Sequence, residues 1–240
     1  MKIGVKIIRL SSVDSTNNYV ANLVKVGKID SGTVVLADEQ SDGKGQRGAV
    51  WLSSAGENLT FSFYLENVNL SVEKQFTLTQ LVSLSLIHLL SRLGVDARIK
   101  WPNDIVVKNR KIAGVLIENQ LAGSEIKSSI VGVGLNVNQV IFKGLNATSL
   151  FSESGLQRTP IDVLMSFIDA FNEKKLEFGY RSEIKEDYLK NVYQFQEMAN
   201  YQDSNGKFTG KIIDVLTSGK LVIQVEHEIR EYDLKEIKFL

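Results

Sequence analysis

Apolar residues recur along this chain with two periods, and the switches between them divide it into strands and helices. MKIGVKIIRL interleaves Lys2, Lys6 and Arg9 with apolar residues and reads as a strand. Asp14 to Thr16 offer capping residues for a helix to about Val26, in which Tyr19, Val20, Leu23 and Val24 group at helical spacing. TVVLADE predicts a strand. After a loop from Gln40 to Gly56, Leu59, Phe61, Phe63 and Leu65 alternate with Thr60, Ser62 and Tyr64, the pattern of a strand that buries one face. From about Val72 to Leu93 leucines occupy much of a helix circumference, which predicts a helix covered on several sides, with Gly94 as its stop.

Short strands follow near ARIKW, DIVVK, KIAGVLIE and SSIVGVGLNVN. Thr159 and Pro160 open another helix, and a shorter, charged one follows Arg181. Blocks of strands and helices predict an α+β core, a mixed sheet with helices, ending near residue 190. From about Phe195 the pattern changes to GKFTGKIIDVLT, a turn at Ser218 and Gly219, and KLVIQVEHEIREY, which predicts a small β barrel. Two units are therefore expected, residues 1–190 and 191–240. With no internal repeat and no long Pro or Ser linker, they should pack together.

Composition narrows the chemistry. At 240 residues, 43% hydrophobic and 23% charged, the chain is an ordinary folded protein with room for a sizeable core. Lysine plus arginine equals aspartate plus glutamate at 28 each, which argues against a broad basic face for nucleic acid. The absence of cysteine excludes disulfides, thiolate nucleophiles and thiolate-held metal or iron–sulfur centres, and fits a reducing compartment. With only His88, in an apolar run, and His227, in a strand pattern, a histidine-rich metal site is excluded as well, and neither histidine is assigned a catalytic part. The N-terminus lacks the apolar run of a signal peptide, and nothing approaches the roughly 20 apolar residues of a spanning helix, so the chain is placed in the cytoplasm, away from membranes.

The densest motif is QSDGKGQRGAVW, Gln40 to Trp51. Gly43, Gly45 and Gly48 spell both the dinucleotide fingerprint and, with Val50, the kinase glycine loop. Neither context is present: AVWLSSAGEN opens no helix, and the kinase catalytic and metal-binding signatures are missing. Physically, three glycines allow close backbone approach while Lys44 and Arg47 favour an anion, so the stretch reads as an anion cradle or as a surface turn with incidental charges.

The second motif is KWPNDIVVKNRKIAGVLIEN, Lys100 to Asn119. Pro102 holds Trp101 extended ahead of Asn103 and Asp104. DIVVK and KIAGVLIE read as a hairpin closed around Asn109, which sets Lys111 almost opposite Val106 or Lys108 and puts Asp104 on the neighbouring strand, either as chemistry or as a structural ion pair. In VGVGLNVN, Gly132 and Gly134 interrupt a β-branched strand, a sign of a bulge or of close approach by another group, and Asn136 and Asn138 point the same way.

These motifs, with DSTNN at 14–18, resemble the biotin protein ligase family in order and spacing over most of residues 10–140, and the last segment resembles that family's small SH3-like domain. The resemblance implies a biotin/lipoate ligase-like catalytic core that activates biotin with ATP and Mg²⁺ to biotinyl-5'-AMP, then transfers biotin to a lysine of a biotin carboxyl carrier protein. No redox cofactor and no structural metal are implied. It places Ser15, Thr16, Asn17, Gln40, Gly43, Lys44, Gly45, Gln46, Lys111 and Gly114 at biotin, and Lys44, Arg47, Gly48, Trp51, Asn103, Asp104, Lys111 and Asn136 at ATP. Lys111 matches the lysine taken as catalytic, and Asp104 the metal neighbourhood. Ser15 and Thr16 equally suit helix capping. The DNA-binding helix-turn-helix of some members is not seen, so no repressor role and no DNA partner are expected.

The glycine loop departs from the family's arginine-rich pattern at Lys44, Gln46 and Ala49, which predicts a looser hold on the adenylate, while Asp42 has no account. Competing readings are a lipoate or octanoate ligase, weighed down by STN and the KWPND to KIAG stretch, and a silent nucleotide or biotin binder, weighed down by intact Lys111 and Asp104. A homodimer through a strand edge or loop stays open.

Overall fold

The computed structural model describes residues 2–178 and 183–240, except for the side chains of Arg47 and Phe178; Arg181, ahead of the last predicted core helix, lies outside the described residues. The elements are β1 (Ile7–Leu10), α1 (Thr16–Lys25), β2 (Val34–Ala37), β3 (Leu59–Ser71), α2 (Phe76–Arg92), β4 (Arg98–Lys100), β5 (Asp104–Val107), β6 (Arg110–Ala122) and β7 (Glu125–Leu135). Then come α3 (Leu150–Ser154), α4 (Pro160–Phe178), α5 (Ile184–Lys190), β8 (Met198–Asp203), β9 (Gly206–Val215), β10 (Leu221–Val225), β11 (Glu228–Tyr232) and β12 (Lys238–Phe239).

The first seven strands form one mixed sheet in the order β1-β2-β3-β7-β6-β5-β4, with β1 and β2 parallel and the other pairs antiparallel. Phe61 and Phe63 meet Phe167 and Phe171 of α4 edge-on at 5.0 and 5.1 Å between ring centroids, and the leucine-rich α2 buries Leu78, Leu81, Leu84, Leu86, Leu89 and Leu90 in the same core. The opposite face carries a smaller cluster in which Val20 of α1 packs on Val35 and Tyr64. Both faces of β3 from Leu59 to Leu65 are therefore buried, not one. The alternation is present, but its polar half lies beneath α1, with Ser62 against Thr16 and Asn17 and Tyr64 against Val20, instead of in water.

The helix ends follow the expected chemistry in part. Thr159 Oγ1 accepts the Asp162 amide at 3.3 Å ahead of Pro160, and Gly94, with φ +79°, follows α2. Ser15 sits at the N-cap of α1 but makes no side-chain capping bond.

The second sheet is antiparallel, order β11-β10-β9-β8-β12, and encloses Tyr201, Ile212, Val215, Leu221, Ile223 and Tyr232 as the small SH3-like unit. Its edge strands β11 and β12 do not pair, so the barrel is open. His227 falls in the turn between β10 and β11, not in a strand, and His88 lies on α2 beside Glu173 at 3.1 Å. The units pack as expected: Ile99 pairs through its backbone with Asn191 and Tyr193, both at 2.8 Å, and Trp101 Nε1 donates to Gly219 O at 2.8 Å. Among the described residues no helix is long and apolar enough to cross a membrane.

Candidate active site

Four neighbouring strands bring small residues to one patch of the sheet. Ser62 on β3 faces Gly132 on β7; Gly134 pairs with Gly114 on β6, and Gly114 with Asp104 on β5. The glycines of β7 mark close approach, not a bulge. A side chain at Gly132 would overlap Asn17 Oδ1, and one at Gly134 would overlap the indole of Trp51. At Gly114 a Cβ would lie 3.2 Å from Lys111 Nζ and 3.3 Å from Trp51.

The polar end of the pocket is built at the start of α1. Gln40, arriving from β2, accepts the Thr16 amide at 2.8 Å and the Thr16 hydroxyl at 3.0 Å, so a distant side chain satisfies a helix N-terminal donor that the adjacent Ser15 does not. Ser15, Thr16 and Asn17 are 2 to 3% exposed. Ser62 Oγ lies 2.7 Å from Thr16 Oγ1 and 2.6 Å from Asn17 Oδ1.

The charged end rests on the hairpin of β5 and β6, whose two-residue turn sets Val106 opposite Lys111. A bulge next to Ile105 then shifts the register so that Asp104 opposes Gly114. Lys111 and Gly114, three apart, would face opposite sides of a regular strand; the extra residue returns both to the pocket side. Lys111 Nζ lies 2.7 Å from Asp104 Oδ1, each about a third exposed, and 5.5 Å from the Trp51 ring centroid. In this half-exposed setting the ion pair orients the ammonium more than it stabilises the fold. Behind it, the half-buried Lys100 has its ammonium pushed below the usual lysine range by burial, with Lys111 adding to the effect and Asp104 opposing it. Asn103 is fixed by its amide donating to Val115 O at 2.7 Å.

Trp51 is carried over the sheet by the glycine loop. Lys44 bridges to Val50, Gly45 N–H donates to Ala49 O at 2.7 Å, and Trp51 N–H to Gly43 O at 2.8 Å. These amides close the loop on itself, so the expected backbone cradle is not assembled from them. Lys44 Nζ instead donates to Asn18 Oδ1 at 2.6 Å. The Trp51 indole N–H is buried and makes no hydrogen bond within the chain, an unpaired donor beside the pocket.

Of the predicted residues, Ser15, Thr16, Asn17, Gln40, Lys44, Gly45, Gln46, Trp51, Asn103, Asp104, Lys111 and Gly114 line this one pocket. Gly43 and Gly48 line an adjoining hollow, and the Arg47 side chain lies outside the described part of the structure. Asn136 is not in the pocket: 3% exposed, its amide donates to Thr148 O at 2.9 Å, because the segment after it folds back as a strap on the Lys111 backbone. Asn138 likewise turns away, donating to Arg158 O at 2.7 Å. The sequence reading missed Ser62, which the alternation in β3 could have flagged as a polar residue between two phenylalanines, and Glu118, which receives the Asn17 amide at 2.6 Å.

The result is a slot with neutral donors and acceptors at one end and a cation beside an indole at the other. That polarity suits a ligand with a neutral polar head and an anionic tail.

A sequence profile described as the Biotin/lipoate A/B protein ligase family matches residues 10–136. The bifunctional ligase/repressor BirA of Bacillus spizizenii is 28% identical over 231 residues, covering 92% of this chain and 69% of that protein. The biotin–[acetyl-CoA-carboxylase] ligase of Paracoccus denitrificans is 33% identical over 135 residues, 53% of each chain. Among solved structures, biotin protein ligase from Aquifex aeolicus in complex with biotin and ATP superposes with a TM-score of 0.80 at 29% identity, covering 98% of both chains. The match spans the polar end of the pocket, the glycine loop and the hairpin of Lys111 alike, and the chain belongs to the biotin/lipoate A/B protein ligase family.

Proposed function

We propose that this chain is a biotin protein ligase that joins biotin to the α-phosphate of ATP and passes biotin to a lysine of a carboxylase. The observation that carries this reading is the placement of Lys111 beside Asp104 and Trp51 at one end of a pocket whose other end is neutral and polar. The ureido ring lies at Ser15, Thr16, Asn17 and Gln40, and the valerate chain runs over Gly132, Gly134 and Gly114 towards Lys111. A biotin carboxylate oxygen attacks the α-phosphorus, and the bond to pyrophosphate breaks. Lys111 stabilises the charge of two anions brought together, the largest barrier in the step. In the second half-reaction a carrier lysine amine attacks the anhydride carbonyl, loses a proton, and AMP departs.

Among the described residues no cluster of three or more metal-ligating side chains exists, and Asp104 is the one carboxylate at the pocket. A single oxygen fits Mg²⁺ held mainly by ATP phosphates and water, not in a protein cage. When bound, Mg²⁺ would supply neutralisation of phosphate charge, and Asp104 would be its protein ligand. Trp51, with Asn103, forms the nucleotide side. Residues 1–190 carry the reaction and 191–240 buttress the Lys100–Asp104 segment, the acceptor is a biotin carboxyl carrier domain, and the cytoplasm, reducing and rich in ATP, is the setting that a cysteine-free chain suits.

Exchange of labelled pyrophosphate into ATP, measured with and without biotin, tests the first half; the mass of an apo carrier domain after incubation tests the second. Biotin-dependent exchange and a carrier heavier by one biotin are expected. Exchange without biotin, or none with it, would remove the reading.

A further inference from the structure

Glu118 and Ser62 hold an amide that the reaction above uses but does not explain. Asn17, the second residue of α1, is 3% exposed with both halves of its side chain engaged. Ser62 Oγ donates to Oδ1 at 2.6 Å, and Nδ2 donates to Glu118 Oε2 at 2.6 Å. Beneath it Gly132 leaves room that any Cβ would take. An asparagine amide is nearly symmetric in shape and opposite in polarity, so turning it over exchanges a donor for an acceptor without moving another atom. Ser62 does not decide between the two orientations, because a hydroxyl donates or accepts. Glu118 decides, because a carboxylate only accepts and so requires the N–H side. Once both bonds are made, one lone pair of Oδ1 and one N–H of Nδ2 are left for a ligand. A cyclic urea presents an N–H beside a C=O and complements such a pair; a dithiolane ring or a hydrocarbon tail offers neither.

We propose that Glu118 is a specificity-determining positioning residue: it fixes which way the Asn17 amide faces and so makes the pocket select a ureido ring. This rests on reading the pocket as a biotin site.

Titration calorimetry of biotin, desthiobiotin and ATP against wild type, Glu118→Ala, Glu118→Gln and Glu118→Lys, with Tm recorded for each, tests it. Glu118→Ala should weaken biotin and desthiobiotin alike by on the order of tenfold, the usual weight of a charge-assisted hydrogen bond, because both carry the urea. ATP affinity should stay at the wild-type value, and Tm should fall only by the cost of one unpaired Asn17 N–H, since Glu118 itself is exposed. Glu118→Gln, which keeps a carbonyl acceptor, should recover most of the loss, and Glu118→Lys, a donor only, should not. Equal loss for ATP and biotin, or unchanged biotin affinity in Glu118→Ala and Glu118→Lys, overturns the inference alone. A wild type that binds no biotin overturns the functional reading and this inference with it.

Discussion

The two faces of strands β3 and β7 differ in what fills them. On one, Phe61, Phe63, Val131 and Val133 pack against α2 and α4 and are at most 3% exposed. On the other, Ser62 and Gly132 are equally shielded and Gly134 is partly exposed, yet what lies above the three is Asn17, Trp51 and, over the two glycines, a pocket. Burial alone does not separate a packing face from a binding face. The separating feature is the missing side-chain volume: phenylalanine and valine fill their layer, whereas serine and glycine leave a layer for another molecule and for the residues that grip it.

The sharpest way to break this comparison is to damage each face and ask which property fails. Phe63→Ala on the packed face should cost about 3–5 kcal/mol of stability by urea denaturation while the folded fraction keeps its biotin affinity. Lys111→Ala on the open face should do the reverse, lowering adenylate formation by about 10²–10³-fold, the loss typical of a group that stabilises transition-state charge, with Tm hardly moved because the ion pair is a third exposed. Gly134→Ala inserts a methyl where the Trp51 indole lies, an overpacking cost of about 1–3 kcal/mol that should appear as displaced tryptophan fluorescence and weaker ATP binding. The smallest effect sharpens the boundary of the site. Thr60 shares the open face but its hydroxyl donates to Ala37 O at 3.0 Å and it lies outside the pocket, so Thr60→Val should cost about 1 kcal/mol of stability and leave biotin affinity unchanged.

Much of the scaffold could be read from periodicity. The α1 helix, the leucine-rich α2 and the change of character after residue 195 follow from local pattern, and so does the hairpin, where the pattern leaves Lys111 opposite Val106 or Lys108 and the structure has Val106. What the pattern hid was set by residues far apart in the chain. The alternation in β3 assigns Ser62 to an exposed face, and only the arrival of α1, 46 residues away at Thr16, covers it. Glu118 looks like a solvated charge at the end of a strand; its partner Asn17 lies 101 residues earlier. Serine and threonine before a helix suit caps, but Gln40, 24 residues later in the chain, supplies that hydrogen bond. The glycines permit close approach, which suits an anion cradle as well as a surface turn, and the structure uses that freedom to fold the loop over the sheet. Asn136 carries the resemblance and yet is turned into the strap behind Lys111, where it holds Thr148.

The central claim is that the open face of the sheet, with Lys111 at its charged end, forms an acyl-adenylate from biotin. Its most direct test incubates the protein and its Lys111→Ala variant with ATP labelled in the α-phosphate, Mg²⁺, and either biotin or lipoate, and resolves the nucleotide products. Labelled biotinyl-AMP from the wild type with biotin, little with lipoate, and almost none from Lys111→Ala is the result predicted; equal adenylate from the variant, or no adenylate with biotin, would contradict it.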